Sequence, residues 1–229
     1  PSWKNNFSQV LAQLSKTDKL ETNLTVGASS LPVQSFFGSN FDSSISLNDY
    51  ETPYLESGEG GLGLGATYQL GDSRLLVGMT NPINQSSDSV IGLRKSLVAS
   101  LEYGNPADSA ITFMAGVTQD KDSLLGSTGD SAYSLSGSKS NTTFTAFKAQ
   151  TQLGQDLSLT GIATLANTNM TRPDNSFINS ASNVKSTSVS LIANKGNVFG
   201  DDSMSLFVSQ PNRVSDGSMS IRLSNLADS

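Results

Sequence analysis

Residues 61–70, "GLGLGATYQL", alternate strictly. Leu62, Leu64, Ala66, Tyr68 and Leu70 fall on one side of a period of two, with Gly63, Gly65, Thr67 and Gln69 on the other. Alternation of this kind marks a strand with one apolar and one polar face. The period returns near the end of the chain. In "DSMSLFVSQ", Met204, Leu206 and Val208 oppose Ser203, Ser205 and Ser209, and Phe207 breaks the polar side. In "GSMSIRLSN", Met219, Ile221 and Leu223 oppose Ser218, Ser220, Arg222 and Ser224.

Extended along the chain, the pattern predicts strands near 22–29, 44–48, 60–70, 73–80, 94–104, 110–118, 131–137, 142–153, 157–167, 185–194, 203–209 and 217–224. "GDS" at 71, "GNPADS" at 104, "LGQD" at 153, "KGNVFGDDS" at 195 and "NRVSDGS" at 212 supply turn chemistry between them. Many short strands at hairpin spacing predict an all-β fold, an antiparallel meander forming a barrel or a strongly curved sheet.

Residues 1–20 read differently. Trp3, Phe7, Val10, Leu11 and Leu14 recur at spacings of three and four, and Ser2 can cap the first turn, which predicts a short amphipathic helix. The division expected is therefore a helix over 1–20 and an antiparallel β domain over 21–229, truncated at its carboxy-terminal end. The helix covers one end of that domain or plugs a barrel. Gly61, Gly63 and Gly65 leave one strand face bare, and the element expected over it is this helix, through Trp3 or Phe7.

A second pattern overlaps the first strand. Gly58, Gly60 and Gly63 satisfy G-x-G-x-x-G, the dinucleotide-binding fingerprint. That turn needs a strand before it and a helix opening at its last glycine, so that backbone N–H groups face the pyrophosphate. Here the turn-like "NDYETPYLES" precedes it and alternation continues through it, so the strand reading is preferred and no cofactor is expected.

Composition narrows the chemistry. The net charge of −6 argues against nucleic acid and anionic surfaces, since phosphate binding needs a basic patch. Histidine and cysteine are absent, which removes a disulfide framework, a thiol nucleophile, a Ser–His–Asp triad and a zinc site of the usual ligands from this chain. Ser–Lys and carboxylate chemistry stay open, but no Asp or Glu is distinguished from its neighbours. The chain is expected to be non-enzymatic, with no catalytic, cofactor-binding or metal-binding residue assigned.

Asp120 with Asp122, and Asp201 with Asp202, lack the surrounding loop of oxygen ligands that calcium needs, and read as turn carboxylates. The N-x-[ST] triplets at Asn23, Asn84, Asn141 and Asn169 are expected by chance in a chain so rich in these residues. No apolar run reaches the roughly 18 residues of a membrane helix. The opening "PSWKNN" reads as an internal boundary, not a signal peptide.

One apolar and one small, polar face on strand after strand suits two architectures. A soluble sandwich turns its apolar faces inward; a transmembrane barrel turns them to lipid around a polar lumen. Period alone does not separate them.

Three stretches carry a resemblance. "FFGSNFDSSISLNDYETPY" (36–54) resembles a segment that follows the catalytic region of certain bacterial subtilisin-like serine peptidases. "SLLGSTGDSAYSLSGSKSNTTFTAFKAQTQLGQDLSLTGIATLANTNM" (123–170) is similar to their leucine-glycine-serine turn followed by two strands hinged on "LG-x-D". "NVFGDDSMSLFVSQPNRVSDGSMSIRL" (197–223) resembles the family's most specific stretch, a valine-serine-glutamine-proline step, an arginine-valine pair and a serine-rich strand. The resemblance implies the carboxy-terminal β domain of an exported peptidase, similar to autotransporter translocator barrels. It implies outer membrane or lipid and an upstream peptidase domain as partners, and the bacterial outer membrane or cell surface as location. It carries over no catalytic residue. Against the family pattern, the chain stops at "LSNLADS" without a terminal aromatic, and only 7% of its residues are aromatic. The competing expectation is a soluble structural or self-associating β module, extracellular in location.

Overall fold

The computed structural model describes residues 10–27, 61–82, 93–105, 107–124, 131–154, 156–171, 173, 176–200 and 202–222. They form β1 (Val10–Lys16), β2 (Leu20–Gly27), β3 (Gly61–Leu70), β4 (Ser73–Pro82), β5 (Leu93–Asn105), β6 (Ser109–Lys121), β7 (Lys139–Leu153), β8 (Leu157–Met170), β9 (Ile178–Gly196) and β10 (Ser203–Ile221). All lie in one antiparallel sheet in chain order, an unbroken ten-stranded meander. β1 pairs only with β2 and β10 only with β9, so among the described residues the sheet is not closed into a barrel. The only helical element among the described residues is a single 3-10 turn at Ser131–Tyr133.

The helix expected over 1–20 is therefore corrected at 10–16, which is strand β1. Trp3 and Phe7 lie outside the described residues. A short apolar run fits either period, and here the partner decides. Thr17 closes a tight turn, its N–H donating to the Leu20 carbonyl (2.7 Å) and its Oγ1 accepting from the Leu20 N–H (3.0 Å). That turn lays 10–16 against β2, whose ladder satisfies the backbone.

Two further expectations change. Residues 131–137 are not a strand: after the 3-10 turn the chain bends, with Gly137 at φ 77°, and buries Leu135. The alternation there reports a loop with its own small core, in which Leu135 packs with Met170, Ile178, Ala181 and Val184. The segments 203–209 and 217–224 belong to one strand as far as Ile221, because "NRVSDGS" is absorbed by register shifts against β9 instead of turning. The strand expected at 44–48 lies outside the described residues.

Which face is covered follows from the register. Thr80, Ser96, Thr118, Thr142 and Thr168 are successive cross-strand partners, and all are buried. Their sequence neighbours point the other way. Met79, Leu97 and Val117 are 47–53% exposed. Among the described residues every extensive contact between strands joins sequence neighbours, so no second layer of described strands covers the buried face. Side chains of adjacent strands converge there, as Val98, Met114, Phe144, Ala146 and Ala166 do in one cluster.

Convergence leaves little volume, and one pair shows the fit. Gly116 on β6 is the partner of Phe144 on β7, and the Phe144 ring lies over it. A methyl built on Gly116 would meet Phe144 Cζ at 2.6 Å and the Leu97 carbonyl oxygen at 2.9 Å. Phe144 clusters there with Val98, Met114, Ala146 and Ala166, the apolar patch of the inner face. Gly116→Ala should cost about 1–3 kcal/mol through overpacking. The cost should fall in a Phe144→Leu background, where the ring no longer fills the notch. Urea denaturation of the four proteins in the cycle measures both, and additive costs would show that the ring is not the obstacle.

Candidate functional site

The two faces are chemically inverted relative to a soluble core. The inner face is lined by hydroxyls: Thr80, Ser96, Ser100, Thr118, Ser140, Thr142, Thr160, Thr164, Thr168, Ser186, Ser188 and Ser190 are all buried. Most large apolar side chains of the strands are outside, although Leu76, Val98, Met114, Phe144, Ile162 and Ile192 are buried. Leu64, Met79, Leu97, Leu101, Phe113, Phe147, Leu165, Leu191 and Leu206 are each 43–62% exposed. In a water-soluble fold these would be the residues withdrawn from solvent.

The inner face also holds charge. Arg94 Nε donates to Asp120 Oδ1 at 2.5 Å and Arg94 Nη2 to Asp120 Oδ2 at 2.8 Å, a bidentate pair with side chains only 8% and 2% exposed. Nearer the opposite end of the strands, Arg74 Nη2 donates to Glu102 Oε1 at 2.7 Å, in the register row that leads through Thr112 to Lys148. Positive and negative groups alternate along these rows, so neither sign dominates.

Thr142 and Thr168 share a hydroxyl hydrogen bond of 2.8 Å, and Ser140 Oγ donates to the Ser123 carbonyl at 2.8 Å. Among the described residues the hydroxyls of Thr80, Ser96, Ser100, Thr118, Ser138, Thr160 and Thr164 find no hydrogen-bond partner. Each such hydroxyl carries a desolvation cost.

The two ends of the sheet differ. At one end the connections are 17–19, 71–72, 106–108, 154–156 and 197–202; at the other they are 28–60, 83–92, 122–138 and 171–177. Leu135 of the third long connection packs against Met170, Ala181 and Val184, so this connection folds inward over the ends of β8 and β9. Its anchors are the Asp122 carboxylate, which accepts the Gly137 N–H at 2.6 Å, and the Ala132 carbonyl, which accepts the Phe177 N–H at 2.8 Å.

Positions singled out from sequence find plain roles. Asp120 is held by Arg94, and Asp122 braces the loop at φ 61°. They form no ligand set, and among the described residues no group of three or more acidic, His or Cys side chains could hold a metal. Asp202 is exposed, and Asp201 lies outside the described residues. Gly63 sits within β3 opposite Thr25 and Thr80, and a two-residue turn and another strand follow, so no helix terminus faces a phosphate there. Gly58 and Gly60 lie outside the described residues.

Gly63 and Gly65 fall on the buried face, where Gly65 opposes Gly78. Sequence reasoning missed the Arg94–Asp120 pair, because its members stand twenty-six positions apart and meet only through the β5–β6 register. Among the described residues no helix is long and apolar enough to cross a membrane, which says nothing about strands. No family model, curated protein or solved structure matches the chain.

Two outcomes test the inner face. Asp120→Ala, which leaves the Arg94 guanidinium buried without this carboxylate, should cost about 3–5 kcal/mol in urea denaturation. Within the hydroxyl row, Thr142→Val should cost about 1–3 kcal/mol by stranding the Thr168 hydroxyl, whereas Thr118→Val should be neutral or stabilising. Equal losses at Thr118 and Thr142 would mean that the Thr118 hydroxyl has a partner, such as an ordered water.

Proposed function

We propose that this chain is a membrane-seated β-barrel domain, the non-catalytic carboxy-terminal translocator or anchor of an exported subtilisin-like peptidase in a bacterial outer membrane. The observation that carries the membrane part is the inversion of faces: apolar side chains outward, hydroxyls and paired charges inward, as in a barrel whose outer surface meets lipid. The short turns at one end and long connections at the other support it, because outer-membrane barrels distribute their loops in this way. The meander supports closure, since β1 and β10 run antiparallel and can be bridged in the sense of the rest of the sheet. The peptidase part rests on the resemblance of 36–54, 123–170 and 197–223 alone. On this reading catalysis belongs to an upstream domain, and the partners of this chain are lipid and that domain.

A soluble self-associating module is the second reading. The ends of the sheet favour it, since among the described strands β1 pairs only with β2 and β10 only with β9, and sheet edges recruit other strands.

One substitution separates the two. Phe113 is 54% exposed on the outer face, and its neighbour Thr112 lies on the inner face beside Glu102 and Lys148. In a lipid-facing barrel Phe113→Lys should weaken folding into vesicles by about 2–4 kcal/mol, and Thr112→Lys by much less. In a soluble module Phe113→Lys should change stability by no more than about 0.5 kcal/mol. Retention of the wild type in urea-washed membranes is the companion measurement. A monodisperse chain that needs no detergent and tolerates Phe113→Lys would sink the membrane reading.

A further inference from the structure

On the outer face the apolar residues form a strip of nearly constant width. On β4, Leu75, Val77 and Met79 stand between Ser73 and Asn81. On β9, Val189, Leu191 and Ala193 stand between Thr187 and Lys195. Along β10 and the residue before it, Met204, Leu206 and Val208 stand between Asp202 and Gln210. Each of these intervals is eight residues from polar to polar. Those on β5 and β6, Lys95–Asn105 and Ser109–Gln119, are one residue pair longer.

The strip does not follow the register rows. The row of Gln210 runs through Val189, Ala163, Phe147, Phe113 and Leu101 to Leu75, six residues short of Asn81. The other boundary slides as far. The row of Ser73 reaches β10 at Val208, six residues from Asp202. β9 falls on the same line, since the row of Thr187 meets β4 at Val77, four residues from Asn81. No bulge enters these counts, because the register along each row is unbroken.

Both boundaries therefore move one residue per strand from β4 to β10, in the same sense. Parallel boundaries oblique to the hydrogen-bonding rows are what a planar slab leaves on a sheet whose strands lean against its normal. A second protein chain offers no plane that would hold two such lines across seven strands. With rises of about 3.4 Å along and 4.8 Å between strands, one residue per strand inclines the strands by roughly 35°. Eight residues then span about 22 Å along the normal. Lipid-facing strands lean by about 35–45° and carry an apolar band about 25 Å tall.

We infer that this oblique strip is where the sheet meets bilayer hydrocarbon, with Asn81, Thr187 and Gln210 at one surface of the slab and Ser73, Lys195 and Asp202 at the other. The inference rests on the membrane reading and adds the inclination of the strands and the depth of each outer residue. Depth then changes along a register row. In the row Val77–Ala99–Ala115–Thr145–Leu165–Thr187, Val77 lies at mid-depth and Thr187 at the surface. In the row Ser73–Tyr103–Ile111–Ala149–Gly161–Leu191 the order is reversed, with Ser73 at the surface and Leu191 near mid-depth.

The absence of cysteine makes the test direct, since one introduced thiol can carry a polarity-sensitive fluorophore at a single known position. The full chain carries Val77→Cys, Ala99→Cys, Thr145→Cys or Thr187→Cys for the first row, and Ser73→Cys, Ala149→Cys or Leu191→Cys for the second. Each labelled variant is folded into phosphatidylcholine vesicles, with circular dichroism as the check on folding. Emission should move to longer wavelength from Val77 to Thr187 and to shorter wavelength from Ser73 to Leu191. Ala99, Thr145, Ser73 and Ala149 have small side chains, so the sign of each gradient can still be read if the Val77 or Leu191 variant misfolds.

Uniform emission along each row, or gradients of one sign in both, would overturn the inclined boundaries and leave the membrane reading standing. Emission that stays the same at every site when vesicles are added would refute the membrane reading itself, and the boundaries with it.

Discussion

The covered face of this single sheet has little volume, and most of the structure follows from that limit. Side chains from adjacent strands converge there, so the positions accept glycine, alanine, serine and threonine more readily than leucine. Where an aromatic ring does enter, at Phe144, a glycine lies beneath it to receive it. A conventional core cannot be assembled under that restriction. The apolar bulk that alternation places on every second residue has to stand on the other face, where it remains exposed along β3 to β10. Soluble monomers rarely leave apolar surface of that extent uncovered.

The same limit explains where apolar residues are withdrawn. One enclosed cluster lies at the long-connection end, where the chain between β6 and β7 brings in Leu135 against the last residues of β8 and the first of β9, and a second gathers around Phe144. Between and around them the inner face is organised by polarity. A bidentate Arg94–Asp120 pair sits toward the long connections, Arg74 and Glu102 toward the turns, and a run of hydroxyls crosses five strands between them. Near the long connections this face keeps its shape only while Arg94 and Asp120 remain paired, because both are too deeply covered to recruit solvent in place of one another.

Period-two alternation made the β3–β4, β5–β6 and β7–β8 hairpins legible, with their turns, because each of those turns carries glycine or a close Asx residue. It also showed that one face would be small and polar. It could not show that this was the covered face, since the period is identical whichever side is inward; Thr118 and Val117 exchange roles without any change in pattern. The strand at 10–16 was illegible for another reason. Seven residues with apolar positions at mixed spacings satisfy either period, and the turn at Thr17 that decides the matter contains no glycine or proline. Leu135 misled because a loop with its own core alternates as a strand does. Asp120 was singled out as one of two neighbouring carboxylates, whereas its real partner, Arg94, could be named only after the β5–β6 register was known.

The neighbour-only connectivity has a kinetic side. Most described strands find their partner fewer than twenty residues away, β2 and β3 being separated by the longer 28–60, so the sheet can grow hairpin by hairpin, each new strand templated by the edge just formed. Contacts of this kind require only modest loop closure. No described pairing joins β1 to β10, so the growing sheet never has to meet the larger entropic cost of bringing distant parts of the chain together. A substitution that weakens one hairpin should therefore slow growth from that point on while leaving the hairpins on its other side to form at their normal rate.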